Sequence, residues 1–179
     1  MVCVLLSEGF EEVEAVTVLD YLRRAGIDAK SIPGGEFVAR VKGSHGIKIE
    51  LTAFEPDYDN LEMIVLPGGQ PGTNNLRQEE AAQKLILYAA DNNIPIGAIC
   101  AAPTILAGLG LLEGKRATCF PSCKEQMAGA IYTGAAVETD GLFTTSRSAG
   151  TAHLFALELI RILRGKELAQ RVADGLHFE

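Results

Sequence analysis

Short apolar runs alternate along this chain with longer stretches in which apolar residues recur every three or four positions. Val2-Cys3-Val4-Leu5-Leu6, Met63-Ile64-Val65-Leu66 and Ile96-Gly97-Ala98-Ile99 are continuous runs without polar interruption. That pattern predicts strands buried on both faces, as in a parallel sheet. Strands are expected near Cys3–Leu6, Asp28–Ile32, Ile64–Leu66, Pro95–Ile99, Ala117–Cys119 and Leu142–Thr145. Helices are expected near Glu11–Ala25, Glu79–Asn92, Ala102–Ala107, Ser122–Met127, Thr151–Leu163 and Lys166–Ala173. Phe37–Arg40 and Ile47–Leu51, joined across Gly43-Ser44-His45-Gly46, read as a hairpin added to the sheet; Val137–Asp140 and Leu142–Thr145 read as another. Gly26 is placed to close the first helix. Alternating strands and helices imply an α/β architecture, a mostly parallel sheet with helices on both faces.

Composition narrows this picture. With 179 residues, 47% of them hydrophobic, the chain has material for one well-formed core, read as a single domain over 1–179. A net charge of −7 argues against phosphate-backbone binding, and the absence of Trp leaves no stacking platform, so no nucleic-acid partner is expected. No leader or membrane anchor is expected from Met1–Leu6. The four cysteines, at 3, 100, 119 and 123, lack a disulfide framework and point to reduced thiols in a cytoplasm. Cys119 and Cys123 stand four apart, but His45, His153 and His177 are scattered, so neither a metal nor another cofactor is expected.

The candidate chemistry sits where strands end. Cys100 follows the run 95–99 and precedes Ala101-Ala102-Pro103, a helix opening, so it should occupy a turn whose amides favour a thiolate. A buried structural cysteine is the plainer alternative. Gly68-Gly69 follows the run ending at Leu66; if the two strands are neighbours, the Gly69 and Ala101 amides can converge on an oxyanion beside the sulfur. Glu11 and Glu12 fit a solvated acidic first turn, whereas Glu14 aligns with Val18 and Tyr21 and should be buried and protonated, able to hydrogen-bond the thiolate. His45 lies in a glycine-flanked loop that can lean over a site, and His153 reads as a boundary residue. Arg147, between a strand and a helix, suits either a substrate carboxylate or carbonyl or an ordinary ion pair.

The segments Glu11-Glu12-Val13-Glu14, Leu66-Pro67-Gly68-Gly69, Ala98-Ile99-Cys100-Ala101-Ala102-Pro103 and Thr145-Ser146-Arg147-Ser148-Ala149-Gly150-Thr151 occur in the order seen in the ThiJ/PfpI superfamily. The chain resembles its subgroup of the Parkinson-linked protein deglycase and bacterial relatives. The resemblance implies a flavodoxin-like, class I glutamine amidotransferase-like sandwich. It also implies catalytic Cys100 and Glu14, oxyanion-hole amides of Gly69 and Ala101, and a homodimer. A first helix with Val16, Leu19 and Leu22 on one side and Val18 and Tyr21 on another is consistent with a second buried face. Two departures bear on substrate: Phe120 stands where the Parkinson-linked protein has a histidine, and His45 where it has an arginine. Family members acting as peptidases have histidine directly after the cysteine; here Ala101 follows, which disfavours peptide hydrolysis.

The function this implies is a cysteine-dependent, glutathione-independent glyoxalase or deglycase. Its substrate would be a small reactive dicarbonyl such as methylglyoxal, or an early glycation adduct. His45, Phe120 and Arg147 are candidate substrate contacts. The competing reading is an oxidative-stress sensor or chaperone that works through oxidation of Cys100.

Overall fold

The computed structural model describes residues 1–35, 38–53 and 55–177. The chain opens with β1 (Val2–Leu6), α1 (Glu12–Arg24), β2 (Ala29–Pro33), β3 (Arg40–Lys42) and β4 (Lys48–Glu50). It continues through β5 (Met63–Leu66), α2 (Gly72–Gln78), α3 (Glu80–Asp91) and β6 (Ile96–Ile99). The last part holds α4 (Pro103–Gly108), β7 (Arg116–Ala117), β8 (Ile131–Tyr132), β9 (Val137–Asp140), β10 (Phe143–Ser146), α5 (Ala152–Arg164) and α6 (Lys166–Gly175).

Six strands form the central sheet in the order β2-β1-β5-β6-β10-β9, all parallel except β9, which runs antiparallel to β10. Successive side chains on a strand point to opposite faces, and both faces are covered. Val2, Val4 and Leu6 pack with α1, α5 and α6, whereas Cys3 and Leu5 pack with the layer of α3 and α4. This is the flavodoxin-like sandwich. The element after β1 lies on one face and those after β5 on the other, so the chain opens a crevice at the carboxyl ends of these strands. Register completes the placement. Leu66 pairs with Ala98 and Ile99 with Ser146, so the glycine turn after β5, the cysteine after β6 and Arg147 after β10 emerge at one level.

Three expectations are corrected. The hairpin of β3 and β4 is a separate two-stranded sheet, not an addition to the central one. Its outward side chains Arg40, Lys42, Lys48 and Glu50 are exposed, and Phe37 lies outside the described residues. The strand expected over 117–119 shrinks to β7, which pairs with β8 instead. Both edges of β10 are already taken by β6 and β9, and Thr118 reaches it only through N–H donation to Thr145 Oγ1 at 2.9 Å. The helix expected over 122–127 is a 3-10 turn, Pro121–Gln126. Gly26, at φ +71°, follows α1 as expected.

Candidate active site

Cys100 occupies a strained elbow. Its φ is +63°, a left-handed conformation costly for a residue with a Cβ, and it persists because the surroundings hold it there. Its N–H donates to the Ser146 carbonyl at 2.9 Å, and its own carbonyl accepts from Phe120 N–H at 2.7 Å. The latter bond grips the far side of the peptide unit that carries the Ala101 N–H. The thiol projects from this turn half-buried.

Two backbone amides reach the sulfur: Ala101 N–H and Gly69 N–H both bond the Cys100 side chain. The glycine pair is required sterically. Gly69 has φ +93°, and a Cβ there would lie 2.4 Å from Glu11 N. A Cβ on Gly68 would lie 2.7 Å from Cys100 Cβ and 2.9 Å from Glu14 Oε2. Only a chain without side chains at both positions lets the turn after β5 press against the elbow.

Glu14 closes the cluster. It is fully buried on α1, and Gly68 N–H donates to its Oε2 at 2.8 Å. Oε1 is buried without a hydrogen-bond partner, and the carboxyl also bonds the Cys100 thiol. Glu11 sets the position of this helix: it is the N-cap, its Oε2 accepting from Glu14 N–H at 2.8 Å while its own N–H donates to Gly68 O at 2.9 Å.

Burial pushes the Glu14 carboxyl up to about 7, against the pull of the Gly68 amide and the thiol. Burial also pushes the Cys100 thiol up, and the Glu14 charge adds to that, while the Ala101 and Gly69 amides pull it down. The expectation of a readily ionised cysteine at a helix start is therefore corrected; α4 begins only at Pro103, and desolvation outweighs the amides. Two acids this close titrate as a pair, and above a pH of about 7 they share one proton. With the proton on Glu14, the single charge rests on sulfur and meets two amides. With the proton on sulfur, the carboxylate meets one.

The other predicted residues form a looser periphery. Phe120 is 41% exposed and joined to the elbow by its backbone. Arg147 donates from Nη1 to the Gly134 carbonyl at 3.2 Å, and among the described residues it forms no ion pair with a carboxylate. His45 is exposed, and its Nδ1 lies 2.9 Å from Glu12 Oε2 and 3.8 Å from Glu11 Oε1. Glu12 is not a solvated charge: it is 5% exposed and accepts from His45 N–H at 2.7 Å, Ser44 Oγ at 3.2 Å and Ile47 N–H at 3.3 Å. Burial opposes its charge, yet the bonds from His45, its own amide and Ile47 hold it down at about 2. The Glu12 carboxylate in turn raises the His45 imidazole. Among the described residues, Glu11, Glu12 and His45 are the one set of donors close enough to share a metal ion, within 4.8 Å of one another. Their bonds to one another already account for this cluster. The Gly68 and Phe120 amides and the Glu11 cap were not foreseen from the sequence, since none of them carries a signal in composition or spacing.

Comparison with known proteins agrees with this geometry. The DJ-1/PfpI family pattern matches residues 1–162. The protein dj-1beta of Drosophila melanogaster is 38% identical over 179 residues, covering 97% of this chain and 94% of that protein. A protein named deglycase from Pyrococcus abyssi is 28% identical over 165 residues, covering 91% and 99%. The structure of Toxoplasma gondii DJ-1 in an oxidized form superposes with a TM-score of 0.93 at 30% identity, covering 99% and 97%. A left-handed cysteine, a buried glutamate and two convergent amides thus sit in a fold and a sequence of one lineage, and the chain belongs to the DJ-1/PfpI family.

Proposed function

We propose that this protein is a glutathione-independent glyoxalase or deglycase whose nucleophile is Cys100. The observation that carries the reading is the convergence of the Glu14 carboxyl and the Gly69 and Ala101 amides on one half-buried sulfur. The name deglycase on the Pyrococcus abyssi relative supports the same class.

In the proposed reaction, the Cys100 thiol passes its proton to the Glu14 carboxylate as the sulfur attacks the aldehyde carbon of methylglyoxal, forming a C–S bond. The carbonyl electron pair moves to oxygen, which the amides stabilise. Glu14 gives its proton to that oxygen and, as carboxylate, takes the proton from the former aldehyde carbon. Returning that proton to the neighbouring carbon, while the hydroxyl proton passes from the first oxygen to the former ketone oxygen, yields a thioester of the 2-hydroxy acid. Water then releases the acid and restores the thiol, so methylglyoxal and one water become one lactate and one proton. His45, Phe120 and Arg147 are proposed to line the approach to the sulfur. Conversion without glutathione is expected in wild type and lost in Cys100→Ala and Glu14→Gln. A Cys100→Ala protein that still produced lactate would sink the reading.

A second reading, a redox sensor, draws on exposure. Cys100 and Cys123 are half-buried, whereas Cys3 and Cys119 are fully buried; Cys100 is further distinguished by the Gly69 and Ala101 amides on its sulfur, and the Toxoplasma gondii relative is described as oxidized. Limiting peroxide should then modify Cys100 alone; parallel oxidation of all four thiols would remove its basis. We further propose a cytoplasmic homodimer, supported by Val13 and Val16 on α1 and by Ile47 nearby. These are 51%, 46% and 59% exposed.

A further inference from the structure

The two amides that face the Cys100 sulfur each precede a short helix, and one side chain ties those helices together. α2 follows Gly69, whose carbonyl accepts from Thr73 N–H at 2.9 Å. α4 follows Ala101, whose carbonyl accepts from Thr104 N–H at 3.1 Å. From the last turn of α2, Arg77 Nη2 donates to Thr104 Oγ1, and that hydroxyl donates to the Ala101 carbonyl at 2.7 Å. A hydroxyl has one proton, so these roles are determined: it receives from the guanidinium and gives to the carbonyl. A charged donor on its oxygen polarises the O–H and strengthens the bond it makes.

Thr104 is 3% exposed, Arg77 is half-buried, and Gln83 Nε2 donates to the Arg77 carbonyl at 2.6 Å, so the relay is anchored at both ends. α4 has no side-chain N-cap of its own. The Cys100–Thr104 turn therefore depends on this bond and on the Phe120 and Ser146 contacts to stay in place.

We propose that Arg77 is a positioning residue of the candidate active site. Acting through Thr104, it holds the Ala101 backbone and keeps the Gly69 and Ala101 amides trained together on the Cys100 sulfur. The inference rests on the reading of Cys100 as the reactive thiol, and it assigns control of that thiol to a residue outside the cluster.

The test follows iodoacetamide alkylation of Cys100 against pH by mass spectrometry of the Cys100 peptide. Wild type, Arg77→Ala, Arg77→Lys, Thr104→Val and the Arg77→Ala/Thr104→Val double variant are compared. Loosening an amide, rather than deleting it, should slow alkylation at fixed pH roughly fivefold to tenfold, well short of losing an oxyanion donor. The midpoint should move upward in both single alanine and valine variants. The double variant should be no slower than the slower single one, because both act along one path, and lysine should restore part of the rate. An unchanged midpoint in Arg77→Ala, even with a lower melting temperature, would overturn the proposal. So would single effects that multiply in the double variant. Alkylation needs no carbonyl substrate, so this result stands apart from whether methylglyoxal is turned over.

Discussion

Glu14 is the residue whose environment changes its chemistry most. Its carboxyl rises from 4.5 to about 7 on folding, chiefly through desolvation. The folded state therefore holds this proton more tightly than the unfolded chain. The contribution to stability is fully present below pH 4.5 and is lost as pH rises through about 7. At 1.36 kcal/mol per pH unit, that loss is of the order of 3 kcal/mol. Glu14→Gln, which cannot ionise, should flatten the fall in stability between those limits, as measured by urea midpoints across pH; an unchanged profile would show that Glu14 is already ionised in the native state. Gly68 belongs to the same scale, since one methyl at that position would meet both reactive side chains.

Among the elements, α1 is fixed by two glutamates doing different work. Glu11 caps it, while Glu12 reaches outward to bind the loop between β3 and β4 through residues 44–47. Glu12 titrates in the opposite sense to Glu14. Its carboxyl is held at about 2, so its contribution is present above pH 4.5 and is lost as pH falls through about 2. Glu12→Gln should cost about 1–3 kcal/mol, as buried donors lose a charged acceptor. Hydrogen exchange at the His45 and Ile47 amides should speed up more than in α5. Equal acceleration everywhere would mean the loop is not a separate unit. The same scale explains a missed element. α2 begins Gly72-Thr73-Asn74-Asn75, all weak helix formers, and it forms because Leu76 is buried in the layer beneath. Propensity gave no hint of it, whereas α5 was plain from its apolar spacing; read as burying Leu154, Ala156, Leu157, Ile160 and Leu163, it in fact buries Phe155, Ala156, Leu159 and Ile160.

For the whole molecule, the sheet register is what makes the site. Val4 pairs with Val65 and Leu66 with Ala98, so loops distant in sequence leave the sheet side by side. The proposed dimer also belongs to this scale. Val13 and Val16 lie on the outer side of α1, away from Ala15, Val18 and Leu22, which are in the core. Val16→Lys should shift sedimentation from dimer to monomer at micromolar concentration, with the fold retained; a wild type that already sediments as monomer would exclude the interface. Among the described residues no helix is long and apolar enough to cross a membrane.

Much of this was legible in the chain because it is local. Unbroken apolar runs such as 2–6 and 96–99 determine buried parallel strands. A cysteine between such a run and a Pro-bearing helix start determines an elbow, and Glu14 in an otherwise apolar stripe is a burial signal. What the chain could not declare by itself depends on pairing between remote segments. Whether Gly69 and Ala101 face one sulfur follows from strand order, and whether Glu12 is solvated follows from a loop more than thirty residues away. The direction of the Cys100 shift follows from desolvation, which exists only once the layers close around it. Local pattern decides which residues turn inward; only the packed sheet decides which of them meet, because hydrogen-bond register and burial are properties of contacts and not of sequence neighbours.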